Sequence, residues 1–335
     1  TALVSCSVSG LSGTDGARVS AGATTKTLNP GASATNLSAV VGGADLAAVR
    51  LPGMGAADSL VAYRGYPVTA TGPMAVDFNF NNGWPLVAQQ VTVSGFSATE
   101  NLTLTADWRT PTTTIKLAEG ASSSLAFRAV PTDRMQSGDL HGLMATAYDS
   151  GALSYRYAAA YSLSAANVTL PLPQAPTAPS FGSGGGTAYY RPAISWTTLD
   201  GAMLHATTIG DAYAYLDWNI QVSKGWLGQA VSLAYTFPDF SALQGWSSSW
   251  GLPFGRDLYW NFSQTQTTYA DPGFYIKGPR SYKAGSTAWE SMVYGGLNVP
   301  SGAARVQPSV RMVQEKPQSA REGGSYLRKA LVCGD

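Results

Sequence analysis

Charge is what this 335-residue sequence lacks most. Asp, Glu, Lys and Arg make up 12% of it, about half the roughly 25% of an ordinary soluble domain. The net charge is +1, so no bulk field draws the chain to nucleic acid or to an anionic membrane surface. Histidine is nearly absent: His141 lies in SGDLHGL and His205 in GAMLHATT. Isolated imidazoles of this kind suit a hydrogen-bonded structural role better than catalysis. Cysteine is limited to Cys6 and Cys333, with no CxxC spacing, so no metal-ligand set is expected. No apolar run approaches the ~18–20 residues of a transmembrane helix. Also missing are the GxSxG elbow, the P-loop, the GxGxxG turn and HExxH. The glycines of 182–186 have no Lys-Ser/Thr after them. Five glutamates, at 100, 119, 290, 315 and 322, leave Glu290 beside Trp289 as a weak candidate acid. The absences together predict no catalytic residue, no metal and no cofactor.

What is present is period-2 alternation. Met74, Val76, Phe78 and Phe80 alternate with polar or small residues, as do Leu102, Leu104, Ala106 and Trp108. Tyr155, Tyr157, Ala159 and Tyr161 share one face of a long run, and Leu216, Trp218, Ile220 and Val222 share another. Such runs, separated by turn clusters such as Asn29-Pro30-Gly31 and Asn81-Asn82-Gly83, predict an all-β chain of antiparallel sandwiches with one face wet. The Ala- and Ser-rich stretches 38–49 and 241–246 read as short helices or single turns. The Pro- and Gly-rich stretch 174–186, QAPTAPSFGSGGG, reads as a linker. A fresh first strand is expected near 94, because VTVSGFS echoes CSVSGLS at 6–12. These signals predict two or three tandem antiparallel β-sandwich domains: 1–93, 94–175 and an aromatic-rich 176–302. A C-terminal strand segment, 303–335, is expected to return to the N-terminal strand.

Two features bear on function. If the chain matures in an oxidising compartment, Cys6 and Cys333 would form a disulfide closing a loop of over 300 residues, for which chain entropy suggests about 5 kcal/mol. The start at Thr1 is consistent with a removed secretion signal. Seven of nine tryptophans fall between Trp196 and Trp289. Trp218 and Trp260 sit on alternating strands and read as core. Trp246 and Trp250, in GWSSSWG, and Trp226, in SKGWLGQ, read as loop rings available to a sugar or to the domain's own surface.

The stretch GARVSAGATTKTLNPGASATNLSAVVGGADLAAVRLPG resembles the transthyretin-like (carboxypeptidase regulatory-like) sandwich modules of secreted bacterial proteins. The run ADSLVAYRGYPVTATGPMAVDFNF resembles multi-sandwich surface proteins and lipoproteins, without the lipid-bearing cysteine at position 1. This resemblance implies a tandem Ig-like or transthyretin-like sandwich fold and a place outside the cytoplasm, and it carries no catalytic residue. The expected role is a non-catalytic extracellular or cell-surface structural protein that self-assembles or scaffolds through strand edges. Its expected partners are copies of itself or other surface proteins, with no nucleic acid and no transmembrane segment. The alternative is a glycan- or envelope-polymer-binding protein using Trp226, Trp246 and Trp250; a secreted hydrolase comes third.

Overall fold

The computed structural model describes residues 1–22, 24–70, 74–164, 166–185, 188–213, 216–227, 232–268 and 284–299. It is all-β. The described helical segments are single turns, and no described helix is long and apolar enough to cross a membrane. The chain divides into two compact units that interleave along the sequence. Unit 1 holds residues 1–147, 157–172 and 268–288; unit 2 holds 148–156, 173–267 and 289–335.

Unit 1 begins with eight strands: β1 (Ala2–Ser9), β2 (Gly16–Ala21), β3 (Thr24–Leu28), β4 (Ala34–Ala39), β5 (Gly42–Leu51), β6 (Ser59–Val68), β7 (Met74–Asn79) and the short β8 (Trp84–Pro85). They form a small sheet ordered β4-β1-β7 and a larger one ordered β3-β2-β5-β6-β8. The two share one apolar core: Val4, Cys6 and Val8 come from the first sheet, and Val19, Leu46 and Val61 from the second. The middle strand β1 pairs antiparallel with β4 and parallel with β7.

The same plan is then repeated. The next strands are β9 (Val87–Ser94), β10 (Asn101–Arg109), β11 (Thr114–Gly120), β12 (Ser124–Ala129), β13 (Leu140–Asp149), β14 (Ser154–Ser162) and β15 (Val168–Pro171). They give β12-β9-β15 and β11-β10-β13-β14, which is the first module's order strand for strand. Again the middle strand pairs antiparallel on one side and parallel with the seventh strand on the other. The second module therefore begins with β9 at Val87, a few residues before the echo at 94.

The echo itself extends well past seven residues. VSGLSGTDGARVSA at 8–21 aligns with VSGFSATENLTLTA at 93–106. Gly10 and Gly95 both turn the chain at positive φ, 74° and 79°. In each turn a serine amide then donates to the acid three residues on: Ser12 N to Asp15 at 3.0 Å, and Ser97 N to Glu100 at 2.6 Å. The acid's own amide returns a bond to the serine carbonyl, at 3.1 Å in both turns. This reciprocal turn closes the entry to the second strand by satisfying backbone donors locally.

Two readings change on contact with the structure, and the tyrosine face of β14 is placed. Residues 42–51 form β5 rather than a helix. Its burial is nearly continuous because both faces are covered: Ala44, Leu46 and Ala48 face the first core, while Ala47, Val49 and Leu51 enter a second apolar layer. A strand buried on both sides needs small or branched apolar residues throughout, so it loses the alternation. In β14 the second core takes Ala158 and the partly buried Ala160, while Tyr157 and Tyr161 pack with Leu140 and Met144 in a separate cluster. Within the stretch read as a linker, Ser180–Ser183 forms a strand.

Unit 2 contributes β16 (Ser180–Ser183), β17 (Pro192–Thr197), β18 (Leu204–Asp211), β19 (Leu216–Ser223), β20 (Ser232–Thr236), β21 (Asp257–Thr267) and most of β22 (Thr287–Asn298). They form β16-β17-β20 facing β22-β21-β18-β19. Phe181, Ile194 and Trp196 on one side meet Ile209, Trp260, Phe262 and Val293 on the other. The assignment of Trp260 to the core holds, and Trp218 is partly buried against the same cluster.

Cys6 is a free thiol in β1, fully buried, with its Sγ 3.8 Å from the Val4 carbonyl. Burial pushes it up to about 11, so it is a small hydrophobe rather than a nucleophile. Cys333 lies outside the described residues. Intact mass with and without reductant tests the expected bond. The folded chain is expected to leave Cys6 unmodified by a thiol reagent at pH 8, and modification before unfolding would contradict this burial.

Candidate functional site

The strongest concentration of unusual chemistry is the aromatic face of unit 2. It begins on β19, where alternation puts Trp218 on the same face as Leu216 and Ile220. Trp218 stacks on Phe237 with centroids 5.4 Å apart. Tyr189 lies 5.7 Å away, Phe240 5.9 Å and Trp246 6.3 Å. The segment 238–256 supplies most of this cover, and it is fastened rather than loose. Trp218 Nε1 donates to the Trp250 carbonyl at 2.9 Å. The Phe240 amide donates to the Tyr189 hydroxyl at 2.7 Å. Arg191 donates to the Phe237 carbonyl from Nε at 3.1 Å and Nη2 at 3.0 Å, and pairs with Asp239 at 3.3 Å. The Ser241 side chain and amide hold the Asp239 carboxyl below its ordinary range, with Arg191 adding to this.

Gly251 shows how tightly the loop sits. A Cβ there would stand 2.3 Å from Tyr189 Cγ. We expect Gly251→Ala to displace the Tyr189 ring and to loosen the loop. The check is near-UV circular dichroism and tryptophan fluorescence, and an unchanged spectrum would show that the close approach is not needed.

The candidate binding residues fare differently. Trp246 is half-buried among Tyr189, Trp218 and Phe240. Trp250 is 54% exposed. Their ring planes meet at 88° with centroids 5.7 Å apart, so both cannot lie flat against one extended sugar chain. Trp226 lies in the single turn Lys224–Leu227, and its side chain is outside the described residues. Among the described side chains the loop thus offers one exposed ring, Trp250, with the 58%-exposed Leu243 beside it on the same loop.

Both histidines are buried structural acceptors. His141 Nε2 accepts from the Val130 amide at 3.1 Å, and His205 Nδ1 accepts from Trp196 Nε1 at 3.2 Å. Burial lowers each imidazole from 6.5 to about 4. The folded chain therefore binds fewer protons than the unfolded chain in that interval, and stability falls as pH drops from 6.5 toward 4. His141 is expected to cost about 2 kcal/mol by pH 5, and the less deeply buried His205 less than that. Denaturant melts at pH 7 and pH 5 measure it, with His141→Gln and His205→Gln flattening the profile.

Among the described residues no group of three or more His, Cys, Asp or Glu could hold a metal ion. Comparison with protein-family models and with curated proteins finds no match. The chemistry of the molecule must therefore be read from its own residues.

Reading the sequence invoked strand edges without locating them. The outer strands of the three small sheets are β4, β7, β12, β15, β16 and β20. Their sequences are ATNLSA, MAVDFN, SLAFRA, VTLP, SFGS and SLAYT, in which only Asp77 and Arg128 are charged. Their solvent faces bear Ser, Thr, Asn and Ala joined across strands: Thr92 to Thr169 at 2.9 Å, Ser180 to Ser195 at 2.7 Å, and Ser7 to Asp77 at 2.9 Å. The low overall charge was the signal, but only the strand order says where it matters.

Proposed function

We propose that this chain is a non-catalytic extracellular or cell-surface structural protein, built of transthyretin-like sandwiches, that self-assembles through its strand edges. The observation that carries the proposal is the near absence of charge on the open outer strands of the small sheets. Edge strands expose unpaired N–H and C=O groups, and proteins that stay monomeric usually guard them with lysine, proline or a bulge. The transthyretin-like reading draws support from the parallel pairing of the first and seventh strands in two successive modules. The partner is a second copy, joined by strand addition. Light scattering and electron microscopy over a concentration series provide the test. Adding guards, Asn36→Lys with Ser38→Lys on β4 and Thr169→Lys on β15, is expected to reduce assembly while leaving the melting temperature within a few degrees. A strict monomer at every soluble concentration would remove the proposal.

A second reading, glycan binding, rests on the exposed face of Trp250. Retention on insoluble envelope polysaccharide that is lost in Trp250→Ala, with assembly unchanged, would favour it.

A further inference from the structure

The outer strands of the small sheets are not equally open. The Val8 amide donates to the Ser33 carbonyl at 2.8 Å, at the start of the β1–β4 ladder. By antiparallel alternation Thr35, Leu37 and Ala39 then turn their N–H and C=O groups toward β1, and Ala34, Asn36 and Ser38 turn theirs outward. The side chains of these three residues are exposed as well. Among the described residues no hydrogen bond reaches their outward backbone groups.

The other edges are guarded. On β7 the Tyr63 and Tyr66 hydroxyls, from β6, donate to the Asp77 and Ala75 carbonyls at 2.5 and 3.3 Å. On β12, the counterpart of β4 in the second module, the Val93 amide donates to the Ser123 carbonyl at 2.8 Å and sets the same alternation. Its outward set is therefore Ser124, Ala126 and Arg128. The Ser122 hydroxyl bonds the Ser124 carbonyl, and the exposed Arg128 puts a charge on the edge. β15 is four residues long and ends in Pro171, which has no N–H to offer. In unit 2, β16 is equally short. It is held inward by the Tyr190 hydroxyl on the Gly182 carbonyl at 3.0 Å and by Phe181 at 5.1 Å from Trp260. β20 stands apart, since residues 228–231 before it lie outside the described residues.

β4 carries apolar surface at its end too. Val40, one residue past the strand, is 67% exposed, and Leu3, paired with Ser38 across the ladder, is 52% exposed. A strand laid along β4 would satisfy backbone groups and shield apolar side chains at once.

We infer that β4 pairs with β4 of a second copy, antiparallel, about a twofold axis at Asn36. This rests on the proposed self-assembly and gives it an edge, a partner and a register. The occupant follows from the pattern of outward groups. Ala34, Asn36 and Ser38 are spaced evenly about Asn36, so a second β4 running the other way presents the same donors and acceptors at the same spacing. Asn36 then faces Asn36, and Ala34 faces Ser38 on either side, each pair exchanging two N–H···O bonds. No charge stands in the joint, and the twofold places Val40 and Leu3 at both of its ends. Such a contact is isologous and closes on itself. The product is a dimer whose two small sheets become one, in the order β7-β1-β4-β4-β1-β7.

Opposite charges at the axis test it. Native mass spectrometry of the full chain reads the dimer, and circular dichroism checks that each variant keeps the parent's strand content. Asn36→Lys and Asn36→Asp each set like charges against each other on the axis. Each alone is expected to weaken the dimer by about tenfold or more. Mixed in equal amounts, the two variants are expected to recover it as a heterodimer, because the charges are then opposite. Thr169→Lys on β15 is expected to leave it unchanged. A dimer that persists in both Asn36 variants would overturn the inference, as would a mixture no tighter than its components. If the parent assembles and none of these variants alters it, self-assembly stands and β4 is not its edge. A parent that is monomeric at every concentration removes both.

Discussion

Trp108→Ala is expected to destabilise unit 1 by about 3–5 kcal/mol, the usual cost of emptying a large buried aromatic site. Trp108 is 1% exposed on β10. It lies in the apolar layer joining the two modules of unit 1, with Val49, Leu51 and Leu60 from the first and Ile115, Leu117 and Val130 from the second. The layer is bordered by backbone contacts that leave little room for collapse. Ser20 Oγ donates to the Thr114 carbonyl at 2.6 Å, Arg18 Nη1 to the Lys116 carbonyl at 2.7 Å, and the Ala57 amide to the Leu117 carbonyl at 3.1 Å. A cavity in such a place is not filled by a small shift. The melting temperature should fall by roughly 10 °C for a unit of this size. Calorimetry measures it, and a loss under about 1 kcal/mol would mean that the layer is a loose contact. Trp108→Phe should recover more than half of the deficit.

The second large effect is expected at Arg64. Its guanidinium bonds Asp139 at 2.6 Å, stands 3.5 Å from Asp45, and covers the Trp108 ring at 5.5 Å. Asp139 belongs to the second module's side of the junction and is fully buried, with the Gln136 amide on its other oxygen at 2.9 Å. Arg64→Met removes the cation and strands that carboxylate in a dry place, at an expected cost of about 3–5 kcal/mol. Adding Asp139→Asn should restore a good part of the loss, because the uncompensated charge is then gone. The contrasting control is Arg134→Ala, whose pair with Asp133 is half-exposed and should cost under about 1 kcal/mol. Equal effects for Arg64 and Arg134 would refute a buried clamp.

Much of the strand content could be read from alternation, because most strands bury one face only. β7 shows it plainly, with Val76 and Phe78 inside and Ala75 and Asp77 outside. β5 could not be read that way: two modules sandwich it, and an alanine-rich run covered on both sides carries no period. β16 was hidden by its glycines and flanking prolines, which ordinarily loosen a chain; the Tyr190 hydroxyl and the Phe181 ring hold it instead. The site was legible in kind but not in form. Tryptophans four apart in GWSSSWG announce a ring-bearing loop, yet nothing in that spacing says that Trp246 turns inward while Trp250 turns out. That depends on Tyr189, far away in sequence, closing against Gly251.

The interleaving of the two units has a consequence in time. Unit 1 includes residues 268–288, where the Tyr161 amide donates to the Ser286 carbonyl at 3.0 Å and the Gly285 amide to the Tyr161 carbonyl at 2.8 Å. A domain folding as it leaves the ribosome or a translocation pore normally finishes before its successor appears. This one cannot. Its last pieces emerge more than a hundred residues after Leu172, with most of unit 2 already synthesised. The N-terminal modules must wait, nearly complete, with strand edges that carry little charge. The interval before residue 288 arrives is then when the chain is most exposed to premature pairing and has most need of a holding chaperone.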